Sequence, residues 1–99
     1  MIFLYAKKHE IERKIILAVC DKEHLGKTFE EGELSFTVSE KFYKGNEITP
    51  KELEDLLNDA DSINLFGEKC VTIAERKELI SEKGIKKIKG IKHAQIYRV

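Results

Sequence analysis

Apolar residues in this chain occur in short runs or in alternation with polar residues, two patterns typical of β-strands. The unbroken apolar run from Ile15 to Cys20 indicates a strand that is buried on both faces of a sheet. A polar break separates it from the segment Met1–Lys8, so we predict that the two strands form an antiparallel hairpin. The predicted strands lie at residues 1–8, 13–20, 34–38, 62–66, 85–89 and 91–99.

Two helices are predicted where apolar residues recur three and four positions apart. The segment Thr49-Pro50-Lys51-Glu52 has the pattern of a capping box with proline at the first helical position. We therefore predict a helix from Pro50 to Ala60. A second helix is predicted from Gly67 to Ile80, and Gly84 is suited to the left-handed conformation that follows a helix.

The order of these elements, β-β-β-α-β-α-β-β, predicts the α+β fold class. Strands fall in groups and do not alternate strictly with helices, which favours a mixed or mostly antiparallel sheet. A chain of 99 residues has the size of one domain, so a single α+β domain over residues 1–99 is expected. The segments predicted to be irregular are residues 21–26, 29–32 and 39–45.

Charge is divided unevenly along the chain. Residues 83–99 contain six Lys or Arg and no Asp or Glu, while the rest of the chain has a formal charge of −6. Ile85, Ile88 and Ile91 give the basic segment the spacing of folded strands, so its cations are expected on a rigid surface. Such a surface can bind phosphates. Lysines on an edge strand also protect a sheet against aggregation, and the sequence leaves both interpretations open.

The candidate RNA-binding residues lie in or beside the last two predicted strands. His93 and Gln95 are two positions apart on one strand, so their side chains should point to the same face. There they could hydrogen-bond to phosphate, sugar or base edges, or they could satisfy buried backbone groups. Tyr97, Tyr43 and Phe42 could supply stacking groups for unpaired bases. The predicted RNA-binding set is Lys86, Lys87, Lys89, Lys92, His93, Gln95 and Arg98.

The sequence gives little support for a phosphate-binding loop, a metal site or a membrane-spanning segment. Gly26-Lys27-Thr28 resembles the end of a phosphate-binding loop, but residue 21 is Asp where that loop requires Gly. Cys20 and His24 are not joined by a third ligand at metal-site spacing. We predict no metal, no cofactor and two buried, reduced cysteines. No run approaches the ~20 apolar residues that span a bilayer, so a cytoplasmic protein with no membrane partner is expected.

Four segments of the chain resemble a known family. They are residues 26–32 (GKTFEEG), 42–45 (FYKG), 64–71 (NLFGEKCV) and 90–96 (GIKHAQI). In order and spacing they are similar to the small archaeal family called domain of unknown function 424. This resemblance implies a cytosolic archaeal protein and suggests RNA binding or a link with translation. It also singles out Asn64 and Glu68, which would form one polar patch with His93 and Gln95 if the strands bring them together.

Three functions follow as hypotheses. The leading one is a non-enzymatic RNA-binding module, associated with the ribosome or translation, that binds through its basic C-terminal surface. The second is a protein-interaction module or homodimer with no nucleic-acid role, in which the lysines keep a sheet edge soluble. The third is a small hydrolase that uses His93 with Asn64 or Glu68. No catalytic residue is assigned, because sequence spacing places no nucleophile beside a base.

Overall fold

A mixed sheet of six strands organises the computed structural model, which describes residues 3–98. The order across this sheet is β5-β1-β2-β6-β8-β7, and β3 and β4 form a separate two-stranded sheet. The strands are β1 (Leu4–Ile11), β2 (Lys14–Asp21), β3 (Thr28–Glu31), β4 (Leu34–Thr37), β5 (Asn46–Ile48), β6 (Ser62–Phe66), β7 (Lys86–Ile88) and β8 (Ile91–Tyr97). The helices are α1 (Glu40–Tyr43), α2 (Pro50–Leu56) and α3 (Glu68–Arg76).

The α+β class and the mixed sheet are confirmed. β1 and β2 form the predicted antiparallel hairpin, with Ile11 opposite Lys14 across a two-residue turn. Glu12 and Arg13 in that turn both have positive φ, as a type I′ turn requires. β2 and β6 are parallel, and the other neighbouring strands are antiparallel. Of the predicted strand ends, residues 1, 2 and 99 lie outside the described residues.

The six-stranded sheet is buried on both faces at its centre, as the apolar run in β2 predicted. On one face, Leu17 and Val19 pack with Leu53 of α2 and with Val71 of α3. On the other face, a second cluster of buried residues is covered by the β3–β4 hairpin and α1. That second cluster consists of Ala18, Cys20, Val38, Tyr43, Phe66 and Ile88.

The capping box is confirmed, and it sets the start of α2. The Thr49 hydroxyl accepts a hydrogen bond from the Glu52 amide at 3.3 Å, and the Thr49 amide donates to Glu52 Oε1 at 3.0 Å. The helix ends at Leu56, before the predicted Ala60. Reciprocal bonds of this kind satisfy two amides that a helix N-terminus otherwise leaves unpaired.

The second predicted helix, α3, ends at Arg76 and not at Ile80. Glu78 has a φ of 60°, and the Leu79 amide donates to the Ala74 carbonyl at 3.1 Å. A left-handed residue followed by this longer backbone bond is the geometry of a Schellman stop. The helix therefore ends through the left-handed conformation of Glu78, a residue type that does not predict a helix end.

Three short elements were not predicted. Residues 29–32 were predicted to be a loop, but β3 pairs with β4 from Thr28 to Glu31. Three of the four β3 residues are exposed, so this strand has no burial pattern to reveal it. β5 has only three residues, and α1 lies within a segment predicted to be a turn. Within residues 3–98, no helix is long and apolar enough to cross a membrane.

Candidate functional site

A cleft of about 460 Å³ opens on the face of the six-stranded sheet that the β3–β4 hairpin only partly covers. We call it the sheet-face cleft. Its floor comes from β6 and β8, and its walls come from β4, α1 and the start of β7. The side chains that give it its chemistry are Phe36, Tyr43, Asn64, Phe66, Lys86, His93, Gln95 and Tyr97.

Strand register explains why these side chains meet. β6 and β8 are antiparallel, with Phe66 opposite His93 and Asn64 opposite Gln95. Residues directly opposite each other in a sheet point to the same face, and alternate residues along a strand share that face. The prediction that His93 and Gln95 lie on one face is therefore confirmed, and the strand pairing also places Gln95 beside Asn64.

A row of hydrogen bonds orders the polar part of the cleft. Gln95 Nε2 donates to Asn64 Oδ1 at 2.7 Å, and the Tyr97 hydroxyl donates to Gln95 Oε1 at 3.3 Å. Tyr97 is 71% exposed, so its ring offers a face to a ligand. The amide hydrogens of Asn64 remain available as donors, because its carbonyl oxygen takes the bond from Gln95.

His93 lies within a stack of aromatic rings at the inner end of the cleft. Its ring is nearly parallel to that of Phe66, with centroids 5.8 Å apart, and to that of Phe36, with centroids 6.3 Å apart. Burial, and then the nearby charge of Lys86, lower the pKa of His93 below its ordinary 6.5. At neutral pH the imidazole is therefore uncharged and can donate one hydrogen bond and accept another.

The predicted basic surface is divided between the two faces of the sheet. Lys86 lies opposite His93 and lines the sheet-face cleft, whereas Lys87 lies opposite Lys92, one position out of phase with that pair. Lys87 and Lys92 therefore belong to the helix-covered face, where Lys92 Nζ lies 3.5 Å from Glu68 Oε1. Lys89 is in the turn between β7 and β8 with a φ of 53°. The expectation of one basic stripe fails because side chains alternate along a strand.

Arg98 is engaged with the main chain. Its Nη1 donates to the carbonyl of Asn58 at 2.7 Å and to that of Ala60 at 3.3 Å, and its Nη2 donates to the carbonyl of Leu57. These carbonyls follow the C-terminus of α2, where backbone acceptors have no helical partner. The structure thus places Arg98 in the role of a cap and not in the cleft.

Glu68 is also outside the sheet-face cleft. It is the first residue of α3 and is exposed, with Lys92 as its ionic partner. The proposed polar patch therefore contains Asn64 but not Glu68. Among its described lining residues the cleft has no carboxylate, thiol, serine or threonine. A hydrolase that pairs His93 with Glu68 is not favoured by this arrangement.

A buried carboxylate that sequence reasoning missed holds the start of α3. Asp21 is 1% exposed, and it accepts hydrogen bonds from the amides of Lys69 at 2.9 Å and Cys70 at 3.0 Å. Burial raises the pKa of Asp21 above its ordinary value, although both hydrogen bonds oppose that shift. A Cβ on Gly67 would lie only 2.2 Å from Asp21 Cγ, which explains the glycine there. In the sequence, Asp21 is notable only as the residue at which a phosphate-binding loop would require Gly, and no local pattern indicates its contact with α3.

Asp21, Glu23 and His24 have ligand atoms within 4.8 Å of one another, a spacing that could hold a metal ion. The charges of the carboxylates are already compensated. Lys69 Nζ lies 3.0 Å from Glu23 Oε2, and the α3 N-terminus donates two amide hydrogens to Asp21. A helix N-terminus and an ammonium group both repel cations. The cluster is therefore better explained as a network that anchors α3.

Both cysteines are buried free thiols, as predicted. Cys20 belongs to the cluster on the hairpin side of the sheet, and Cys70 to the cluster on the helix side. Burial raises the pKa of Cys20 to about 12 and also raises that of Cys70. Because the thiolate is the reactive form, neither residue is suited to be a nucleophile.

Comparison with known proteins places the chain in a family. Residues 9–99 match the family described as "Protein of unknown function (DUF424)". An uncharacterized conserved protein from Methanopyrus kandleri has a similar solved structure, with a TM-score of 0.80 and 24% identity over 96% of this chain and 90% of that chain. At that identity the likeness shows the fold alone. No curated protein matches this sequence. Because the family match covers nearly the whole chain, including every residue of the sheet-face cleft, the protein belongs to the DUF424 family.

Proposed function

We propose that this protein is a non-enzymatic RNA-binding module that takes an unpaired base in the sheet-face cleft. The observation that supports the proposal is that one cavity contains an exposed aromatic ring, a hydrogen-bonded pair of amide side chains and a lysine at its rim. Single-stranded RNA is bound by stacking bases on aromatic side chains and by hydrogen bonds to their edges. The cavity volume lies within the roughly 300–1,000 Å³ typical of small-ligand sites.

Each part of a nucleotide has a counterpart in the cleft. A base can stack on the exposed ring of Tyr97, a contact worth about 1–3 kcal/mol per base in other proteins. Asn64 and Gln95 present amide groups toward the base edge, and neutral His93 adds a donor and an acceptor. Lys86 is exposed beside His93, where it can contact a phosphate.

Few lysines can contact phosphates at the sheet-face cleft, so we expect RNA affinity to depend only weakly on salt. Only Lys86 of the predicted lysines lines the cleft, and Lys89 lies in the adjoining turn. For single strands each phosphate contact changes the logarithm of affinity by about −0.7 per tenfold rise in salt. Two contacts therefore predict a slope of about −1.4. A link with the ribosome or translation, and a cytosolic location, accompany this proposal as its cellular setting.

The test compares two neighbouring lysines that face opposite sides of the sheet. Binding of a fluorescein-labelled eight-residue oligouridine is measured by fluorescence anisotropy at low salt for the wild type, Lys86→Glu and Lys87→Glu. Lys86→Glu should weaken binding at least fivefold, and Lys87→Glu should weaken it less than twofold. Tyr97→Ala should weaken binding about tenfold, in keeping with the loss of one stacked base.

Either of two results would remove the proposal. One is the absence of binding by the wild type at low salt to oligouridine, to mixed-sequence single-stranded RNA and to transfer RNA. The other is an equal effect of the two lysine variants, which would mean that general charge and not the sheet-face cleft attracts RNA. Circular dichroism and thermal unfolding establish that each variant is folded.

A further inference from the structure

A second surface lies at the opposite edge of the six-stranded sheet. β5 is the terminal strand there and pairs only with β1. In an antiparallel pair, alternate residues direct their N–H and C=O groups away from the neighbouring strand. The outer side of β5 therefore has backbone donors and acceptors that another extended chain could use.

A groove runs beside this free edge. A cavity of about 620 Å³ lies between β5 and α2, and Ile48 and Leu56 contribute apolar surface to it. A neighbouring cavity of about 370 Å³ shares Asn46, Ile48 and Leu56 with the first and continues toward Lys7. We call the two together the edge groove. Residues of both β5 and β1 line the edge groove, so a segment extended beside these strands can contact it.

The wall of the edge groove is acidic on its α2 side. Glu52 and Asp55 of α2 and Asp59 in the turn after it line the larger cavity, which no lysine or arginine of the described residues lines. Lys7 and Lys8 line the smaller cavity, so the acidic wall belongs to the larger one. Glu52 is held by the capping box. Asp55 and Asp59 take part in no ion pair within residues 3–98. Two uncompensated carboxylates beside an open strand edge favour a cationic partner and repel phosphates.

We propose that the edge groove binds an extended segment of a partner protein that has Lys or Arg at alternate positions and adds as a strand beside β5. Alternate side chains of an added strand lie about 6.6 Å apart on one face. Asp55 in the last turn of α2 and Asp59 in the turn after it line the same cavity, where two such side chains can each meet a carboxylate. Backbone pairing would supply affinity, and the carboxylates would select basic side chains, as in other cases of strand addition.

The test uses a synthetic peptide, acetyl-Thr-Lys-Thr-Lys-Thr-amide, titrated into the ¹⁵N-labelled protein at low salt without RNA. Amide chemical shifts should change in β5 and in α2. The double variant Asp55→Lys/Asp59→Lys should weaken binding at least fivefold, because two attractive contacts become repulsive. Glu54→Lys changes the charge of the same helix outside the groove lining, and it should alter affinity less than twofold.

A second peptide separates strand addition from simple charge attraction. N-methylation of alternate residues removes backbone donors but keeps both lysines, so it should abolish binding. Equal binding of the methylated peptide, or an equal loss in Glu54→Lys, would overturn the proposal. Shift changes confined to the sheet-face cleft, or no shift changes at millimolar peptide, would do the same.

Self-association is the remaining alternative for this surface. The opposite sheet edge, β7, carries the exposed residues Lys86 and Lys87, so a second copy could in principle occupy the edge groove. In that case light scattering of the protein alone would show a mass that rises with concentration and falls in Lys86→Glu/Lys87→Glu. This result would replace the proposed partner. The proposal requires a monomer that still binds the peptide when both lysines are changed.

Discussion

Replacing Asp21 with alanine should lower the free energy of unfolding by about 2–3 kcal/mol. The substitution leaves the Lys69 and Cys70 amides without their acceptor. A buried donor that loses its partner costs about 1–3 kcal/mol. Cys70 is fully buried and bears that cost, whereas Lys69 is half-buried and can partly be solvated. Alanine also removes the desolvation cost of the carboxylate, which is why the lower part of the summed range is expected.

Urea unfolding followed by circular dichroism measures this loss, and thermal unfolding should show a fall in Tm of roughly 8–24 °C. Asp61→Ala is the matched control. Asp61 Oδ2 also accepts a backbone amide, that of Ile15 at 2.7 Å, but Asp61 is exposed. Its replacement should cost about 1 kcal/mol. A loss in Asp21→Ala no larger than in Asp61→Ala would refute the argument from burial.

The titration of Asp21 should also make the stability of the protein depend on pH. Because the pKa of Asp21 is raised above 3.8 in the folded state, the native chain binds more protons than the unfolded chain above that pH. The stabilisation that comes from protonating Asp21 is therefore fully present below pH 3.8 and is lost as the pH rises through the folded pKa, whereas the two amide hydrogen bonds remain. Asp21→Asn does not titrate. The unfolding free energy of this variant minus that of the wild type should increase from about pH 3.8 upward and then level off.

Three further predictions concern backbone conformation, helix capping and pH. Gly67→Ala should cost at least 2 kcal/mol more in urea unfolding than Gly90→Ala, because both glycines have positive φ but only at Gly67 would a Cβ meet the buried carboxylate. Arg98→Met should lower stability by about 1–3 kcal/mol while leaving RNA affinity within twofold of the wild type. Oligouridine affinity should rise as the pH falls through the pKa of His93, which burial and Lys86 lower below 6.5, and His93→Gln should remove that rise. A rise that persists in His93→Gln would assign the effect to another group.

Local signals predicted the fold well where neighbouring residues decide the structure. Thr49 and Glu52 are three residues apart and make their own capping bonds, so the start of α2 needs no tertiary information. β2 could be predicted because burial on both faces leaves a continuous apolar run. β3 could not, since it pairs only with β4 and has exposed polar residues on most positions. The end of α3 depends on the left-handed conformation of Glu78, which its residue type does not favour.

The candidate site was predictable only within one strand. The alternation of β8 correctly placed His93 and Gln95 together. The lysines were assigned to one surface because the register of β7 against β8 was unknown, and that register decides that Lys86 and not Lys87 joins His93. The bonds of Arg98 link residues 38–41 positions apart. Contacts over such separations cannot be predicted from local sequence patterns.

The contact between Asp21 and the start of α3 also bears on the order in which the chain folds. It joins residues 48 and 49 positions apart, and it forms where the parallel strands β2 and β6 end side by side. A nine-residue helix is marginal by itself in water. α3 should therefore become stable only once β2 and β6 have paired across their long intervening segment. Closing that segment is slow compared with local helix formation. The central parallel pair is thus expected to be the rate-limiting step, with α3 and the sheet completed together afterwards.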